Sequence, residues 1–173
     1  MKTLMSLLAM GLLSMAVGCG NTQVPGTPSG VGGQQVASSE YVATSEPAGA
    51  LAVGEARQSV KDNDAVTLVG LIGGSSEPFV EGLAAFTIVD AKVPYCAAAE
   101  GCPTPWDYCC ESDAVKDNIA TVKIVDAQGK PVASDARSLL NVKELSTVVV
   151  QGIAKRDDTG NLAVLADKVF VRK

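Results

Sequence analysis

The chain has 173 residues, 47% of them hydrophobic but only 4% aromatic, and a formal net charge of −5 at pH 7. That length suits one domain and a tail, and an acidic chain is poorly suited to general binding of nucleic-acid phosphates. Histidine is absent, which excludes Ser-His-Asp and Cys-His catalysis and every His-ligated metal site.

The N-terminus reads Met1-Lys2-Thr3, followed by an apolar run from Leu4 to Val17. A short cationic start before an apolar core is the secretory signal pattern. The run of 14 residues falls short of the ~20 that a membrane-spanning helix needs. Small residues then lead to a cysteine in Ala16-Val17-Gly18-Cys19. This stretch resembles the lipobox of bacterial lipoproteins, with Ala16 where that family more often has Leu. The resemblance implies that residues 1–18 are a signal peptide that is removed and that the Cys19 sulfur carries a diacylglyceryl group. It implies a place in the bacterial cell envelope, with the membrane as a partner through the lipid. Two or more acyl chains, at ~0.8 kcal/mol per buried CH₂, give stable anchoring. Gly20 follows the cysteine, where Asp would resemble an inner-membrane retention signal. Where an outer membrane exists, the resemblance therefore points to it, on the periplasmic side.

From Gly20 to Pro47 the chain is rich in Gly, Ser, Thr, Pro and Gln and cannot bury a core. Residues 19–47 are expected to be a lipidated flexible tether, disordered and with a reach of ~30 Å. The domain is then expected over 48–173. Leu51 to Lys61 reads as a short helix or packed arm. Five β-type runs follow, at 66–72, 85–90, 120–126, 147–154 and 162–171, bounded by turn residues. Asp157-Asp158-Thr159-Gly160 forms a hairpin turn between the last two, and Ser134 to Leu140 fits one short helix. Five strands with a helical connection between the third and fourth is the count of an OB-fold. The expected class is all-β: a small five-stranded OB-like barrel with one short helix. The C-terminal half also resembles small exported bacterial OB-fold domains. Val142-Lys143-Glu144-Leu145-Ser146 turns into a strand reaching Gly152, and Val164 to Val171 closes the barrel.

Charge is uneven. Residues 20–114 carry 3 basic and 12 acidic side chains, whereas residues 115–173 carry 10 and 7, which reads as two differently charged faces. The glycine-rich Gly70 to Ser75 lacks the phosphate-loop spacing and reads as a strand end and turn. Asp62-Asn63-Asp64 lacks the rest of a calcium loop and reads as a turn. OB-folds that bind nucleic acid stack bases on aromatic side chains in a basic groove. The strands here offer only Phe86 and Phe170, so nucleic acid is not an expected partner.

The distinctive stretch is the loop 95–111. It holds Cys96, Cys102, Cys109 and Cys110, which are all the cysteines apart from Cys19, together with the sole tryptophan, Trp106, and Tyr95 and Tyr108. It is too long for a simple hairpin connection, so something must hold it. One chemistry is a pair of disulfides, which persist in an oxidising compartment. Adjacent Cys109 and Cys110 would form a strained ring, so Cys96 and Cys102 would pair with them in one of two orders. The protein would then be a non-enzymatic binding or structural module with a braced loop, and an envelope protein is a candidate partner. A second chemistry is a four-thiolate site for Zn or Cu(I). The spacing is C-x5-C-x6-C-C rather than the C-x2-C pairs of structural zinc sites, and Trp106 could meet Cu(I) through a cation–π contact. The third is thiol–disulfide oxidoreductase chemistry. Glu100, Asp107, Glu111 and Asp113 oppose it, because a reactive thiolate needs positive neighbours. No catalytic motif is present, so an enzyme is not expected. Tyr95, Trp106 and Tyr108 either pack over the sulfurs as a miniature core or touch a ligand.

Overall fold

The computed structural model describes residues 40–173. Its strands in chain order are β1 (Leu51–Ala52), β2 (Ala65–Ile72), β3 (Ala85–Val89), β4 (Ile119–Ile124), β5 (Thr147–Arg156) and β6 (Leu162–Val171). Along β2 the even positions Val66, Leu68, Gly70 and Ile72 are buried and the odd ones are not. That period of two is the pleat itself, and the many Val, Ile and Thr residues suit a half-buried pleated surface.

The pairing closes on itself. β2 runs antiparallel to both β3 and β5, β3 to β4, and β5 to β6, while β4 runs parallel to β6. The ring β2-β3-β4-β6-β5 is a five-stranded mixed barrel of the OB type, and closure removes the open sheet edges. β1 adds a two-residue parallel pairing to β2. Leu68, Ile72, Phe86, Ile88, Val122, Val148, Val150 and Val164 fill the interior. β5 bulges between Gln151 and Gly152. A Cβ at Gly152 would lie 2.7 Å from the Ala166 backbone, so only glycine lets β5 and β6 approach there.

Among the described residues the expected single helix is one of three short α-helices: α1 (Val53–Ser59), α2 (Ser112–Lys116) and α3 (Ala136–Leu140). α3 lies between β4 and β5 as expected, capped by Asp135, whose Oδ1 accepts from the Ser138 N–H at 2.9 Å. α1 realises the helical reading of 51–61. Its own N-cap, Ala52, has no side-chain acceptor, so a distant one serves. Buried Asp90 accepts from the Gly54 N–H at 2.8 Å through Oδ2 and from the Lys92 N–H at 3.0 Å through Oδ1. At the other end the Arg156 guanidinium donates to the carbonyls of Ala56, Arg57 and Val60 at 3.1, 2.5 and 2.9 Å. Both ends of α1 are thus satisfied from the barrel, which is why so short a helix is held.

The domain begins earlier than composition suggested. Tyr41 is buried, Val42 bridges to Val169, the Ala43 N–H donates to the Val169 carbonyl at 2.8 Å, and Arg172 pairs with Glu46 at 2.6 Å. Residues 41–46, assigned to the tether on their polar neighbours, line β6 because one aromatic side chain and one backbone donor find partners there. The signal segment, Cys19 and residues 20–39 of the tether lie outside the described residues. Among the described residues no helix is long and apolar enough to cross a membrane.

Candidate four-cysteine metal centre

The cysteine loop fills the long connection between β3 and β4. Its neck is closed by the Asp90 N–H, which donates to the Asn118 carbonyl at 2.9 Å. Beneath it lies a second small core of Val89, Val93, Tyr108 and Val115, with Ala114 and Ile119 against it. Tyr108 is fully buried there and is the loop's own anchor.

The seat of the loop is the end of β2. The Gly74 N–H donates to the Trp106 carbonyl at 2.8 Å, and a Cβ on Gly73 would lie 2.6 Å from that oxygen and 2.9 Å from Tyr108 Cε2. The Gly-Gly pair therefore lets backbone meet backbone. Thr87 secures the seat from β3: its Oγ1 donates to the Gly73 carbonyl at 2.6 Å and its carbonyl accepts from the Gly73 N–H at 3.1 Å. The Trp106 indole N–H donates to the Ser76 carbonyl at 3.1 Å.

Three 3-10 turns, Ala98–Glu100, Pro105–Asp107 and Cys109–Glu111, coil the loop. Pro105 starts the second turn, where its missing N–H is no loss. Asp107 closes it by accepting from Thr104 Oγ1 at 2.6 Å and from the Cys109 N–H at 2.9 Å. These bonds hold its carboxyl below the usual aspartate range, the Thr104 bond most of all. Tyr108 then takes a left-handed φ of 57°, an uncommon state for a bulky residue. The reversal sends the Tyr108 ring inward and returns Cys109 and Cys110 towards Cys96 and Cys102.

All four Sγ atoms lie within 4.8 Å of one another. Cys102–Cys109 is 3.3 Å, Cys96–Cys109 3.5 Å, Cys96–Cys110 3.8 Å and Cys109–Cys110 3.8 Å. A disulfide is about 2.05 Å long, so the four stand as free thiols in contact. Four sulfurs at ~2.3 Å from one tetrahedral ion are about 3.8 Å apart along each edge, close to the spacings observed. Cys96 is buried, Cys102 is half-buried, and Cys109 and Cys110 are exposed. The Cys110 backbone N–H holds the Cys96 thiol below its usual range. Contact with Cys109 pushes Cys102 far up, and contact with Cys96 pushes Cys110 up to about 11. Deprotonation is thus favoured at Cys96 and opposed at Cys102 and Cys110, chiefly through the hydrogen bonds within the cluster.

The four cysteines expected to act together do meet. The three loop aromatics do not form one cap: Tyr108 is buried, Trp106 is half-buried with its indole N–H directed to Ser76, and Tyr95 is 48% exposed. Sequence reasoning passed over Gly73, Gly74, Thr87 and Asp90 as parts of the site. The signal available was the Gly-Gly pair at a strand end, read as a plain turn. A separate groove of about 1010 Å³, lined by Asp64, Asp126, Gln151, Ile153, Leu165 and Asp167 among others, includes no cysteine.

The fold and site define a small OB-type barrel carrying a four-cysteine loop. The chain matches no protein-family model and no curated protein. Among solved structures it is similar to the hypothetical protein ygiW from E. coli, with a TM-score of 0.40 and 16% identity, over 75% of this chain and 98% of that one.

Proposed function

We propose that this chain is a lipid-anchored envelope protein whose barrel presents a non-enzymatic metal site, with Cys96, Cys102, Cys109 and Cys110 binding one soft ion. The observation that carries this reading is the convergence of four sulfurs within 4.8 Å of one another, four of the six pairs at 3.3–3.8 Å. Zn(II) suits it best, since four-sulfur tetrahedral sites favour zinc. Cu(I) is the alternative ion, also selected by thiolates. A bound ion would supply the positive charge that four crowded thiols and the nearby Glu100, Asp107 and Glu111 lack. It would fix the loop 95–111 as a rigid surface at one end of the barrel, available to an envelope partner. The lipobox-like segment ending at Cys19 supports anchoring at a membrane surface, where such a loop would be displayed.

The test uses full-length protein purified under reducing conditions. Elemental analysis is expected to find about one zinc or copper per chain, with four loop thiols that alkylate only after chelation. A metal-free chain ~4 mass units lighter than its reduced form, and inert to alkylation, would instead establish two structural disulfides.

A further inference from the structure

The four sulfurs are arranged for a second state as well as for a metal. Cys109 and Cys110 are exposed, while Cys96 is buried and Cys102 half-buried. Cys102 and Cys109 are 3.3 Å apart, and Cys96 and Cys110 are 3.8 Å apart. These two contacts share no atom, and each joins one exposed sulfur to one more sheltered sulfur. Of the three ways to pair four cysteines, one would need the strained Cys109–Cys110 ring. Another would join Cys96 to Cys109, at 3.5 Å, and leave Cys102 with Cys110. In the Cys102–Cys109 and Cys96–Cys110 set both pairs are in contact, at 3.3 and 3.8 Å, whereas Cys102 and Cys110 are placed only within 4.8 Å of each other.

We infer that the centre is a redox-linked metal site: oxidation by an exogenous disulfide closes Cys102–Cys109 and Cys96–Cys110 and releases the ion. The inference rests on the metal-binding reading above. Each pair closes in two exchanges. The exposed thiolate of Cys109 or Cys110 attacks one sulfur of the reagent, the reagent's S–S bond breaks, and one thiolate leaves. The sheltered neighbour, Cys102 or Cys96, then attacks the mixed disulfide. A protein S–S bond forms and the second reagent thiolate leaves. Two reagent disulfides are reduced to four thiols, which take four protons from solvent. The four protein sulfurs are oxidised to two disulfides, and the dication, left without thiolate ligands, departs. Reagent access is greatest at the exposed pair, so oxidation begins at Cys109 or Cys110. With Glu100, Asp107 and Glu111 close by and no cationic side chain between Lys92 and Lys116, the bound dication is the positive charge that holds the four sulfurs as thiolates, the form that attacks a disulfide.

The experiment is an anaerobic titration of zinc-loaded full-length protein with oxidised glutathione. Released zinc is followed with a colorimetric chelator, and peptide mapping under non-reducing, acid-quenched conditions locates the disulfides. Metal content is measured before oxidant is added. Expected are release of about one zinc per chain, appearance of about four glutathione thiols, the pairs Cys102–Cys109 and Cys96–Cys110, and zinc rebinding after reduction. The inference is overturned by zinc that stays bound while glutathione disulfide is consumed or ignored, by zinc loss without protein disulfides, or by mapped pairs joining Cys96 to Cys102 or Cys96 to Cys109. A chain that holds no zinc before the titration fails the metal-binding reading itself, so the two failures are separated at the first measurement. Far-ultraviolet circular dichroism before and after oxidation checks that the barrel is intact.

Discussion

Replacing Gly73 by Ala tests whether the cysteine loop depends on its seat at the end of β2. The new Cβ would lie 2.6 Å from the Trp106 carbonyl oxygen and 2.9 Å from Tyr108 Cε2. Neither neighbour is the free end of a long side chain: one is backbone and the other is a ring buried in the small core. Overpacking of this kind costs about 1–3 kcal/mol, and rigid neighbours place it at about 2–3. Gly73 is not in the left-handed region, so the cost is steric and not conformational. The cheapest relief is for the loop to lift, which breaks the 2.8 Å bond from the Gly74 N–H to the Trp106 carbonyl. A loop that must be pushed back against 2–3 kcal/mol binds metal about 30- to 150-fold more weakly, at 1.4 kcal/mol per tenfold. Competitive zinc titration measures that ratio, and fluorescence of Trp106, the sole tryptophan, reports the lifting. Gly82→Ala is the control. Gly82 has φ +72° with nothing within 4 Å of a Cβ, so it should lose about 1–2 kcal/mol of stability through backbone strain alone and bind zinc normally. Unchanged zinc affinity and fluorescence in Gly73→Ala would refute the docking of the loop on β2.

Three other perturbations follow from the same contacts. The Tyr108 hydroxyl is buried with no hydrogen-bond partner among the described residues, and burial pushes its pKa up to about 12. Tyr108→Phe should therefore stabilise the protein by about 1 kcal/mol or more, read as a rise in denaturation midpoint, and a fall would reveal a partner for the hydroxyl. Arg156→Ala removes the three bonds that end α1 and should cost about 2–3 kcal/mol in chemical denaturation. Arg156→Lys should not restore it, because an ammonium cannot reproduce the guanidinium fork. Metal affinity should fall as pH is lowered, since the ion displaces thiol protons. Cys110, held up at about 11, and Cys102, pushed up by Cys109, stay protonated without a metal at neutral pH. Raising the pH therefore strengthens binding, and a pH-independent affinity between pH 5 and 8 would rule out thiolate ligands.

The barrel was legible because its strands follow one rule along their length. Val66, Leu68 and Ile72 alternate with less buried residues, and the Asp157 to Gly160 turn sits between β5 and β6. α1 was only half legible, since the groups that end it, Asp90 and Arg156, are 36 and 100 positions from their partners Gly54 and Ala56. No local pattern carries such distances. Tyr41 was lost in a run of Ser, Thr and Gly because composition averages over a window, whereas one buried ring suffices to fix a strap. At the site, the four cysteines stood out by clustering in sequence. How they converge depends on the left-handed turn at Tyr108 and the glycine seat, both of which exist only once the loop is folded. For Trp106 the sequence leaves packing over the sulfurs and ligand contact open, and its indole N–H is bonded to Ser76, 30 positions away.

Zinc-edge X-ray absorption of the full-length protein, loaded under reducing conditions, addresses the tetrathiolate assignment most directly. The prediction is a single shell of about four sulfur atoms at ~2.3 Å with no nitrogen or oxygen ligand, lost together in a variant with Cys96 and Cys109 both replaced by serine. A shell dominated by oxygen or nitrogen, or zinc that washes away while the four thiols remain reduced, would contradict it.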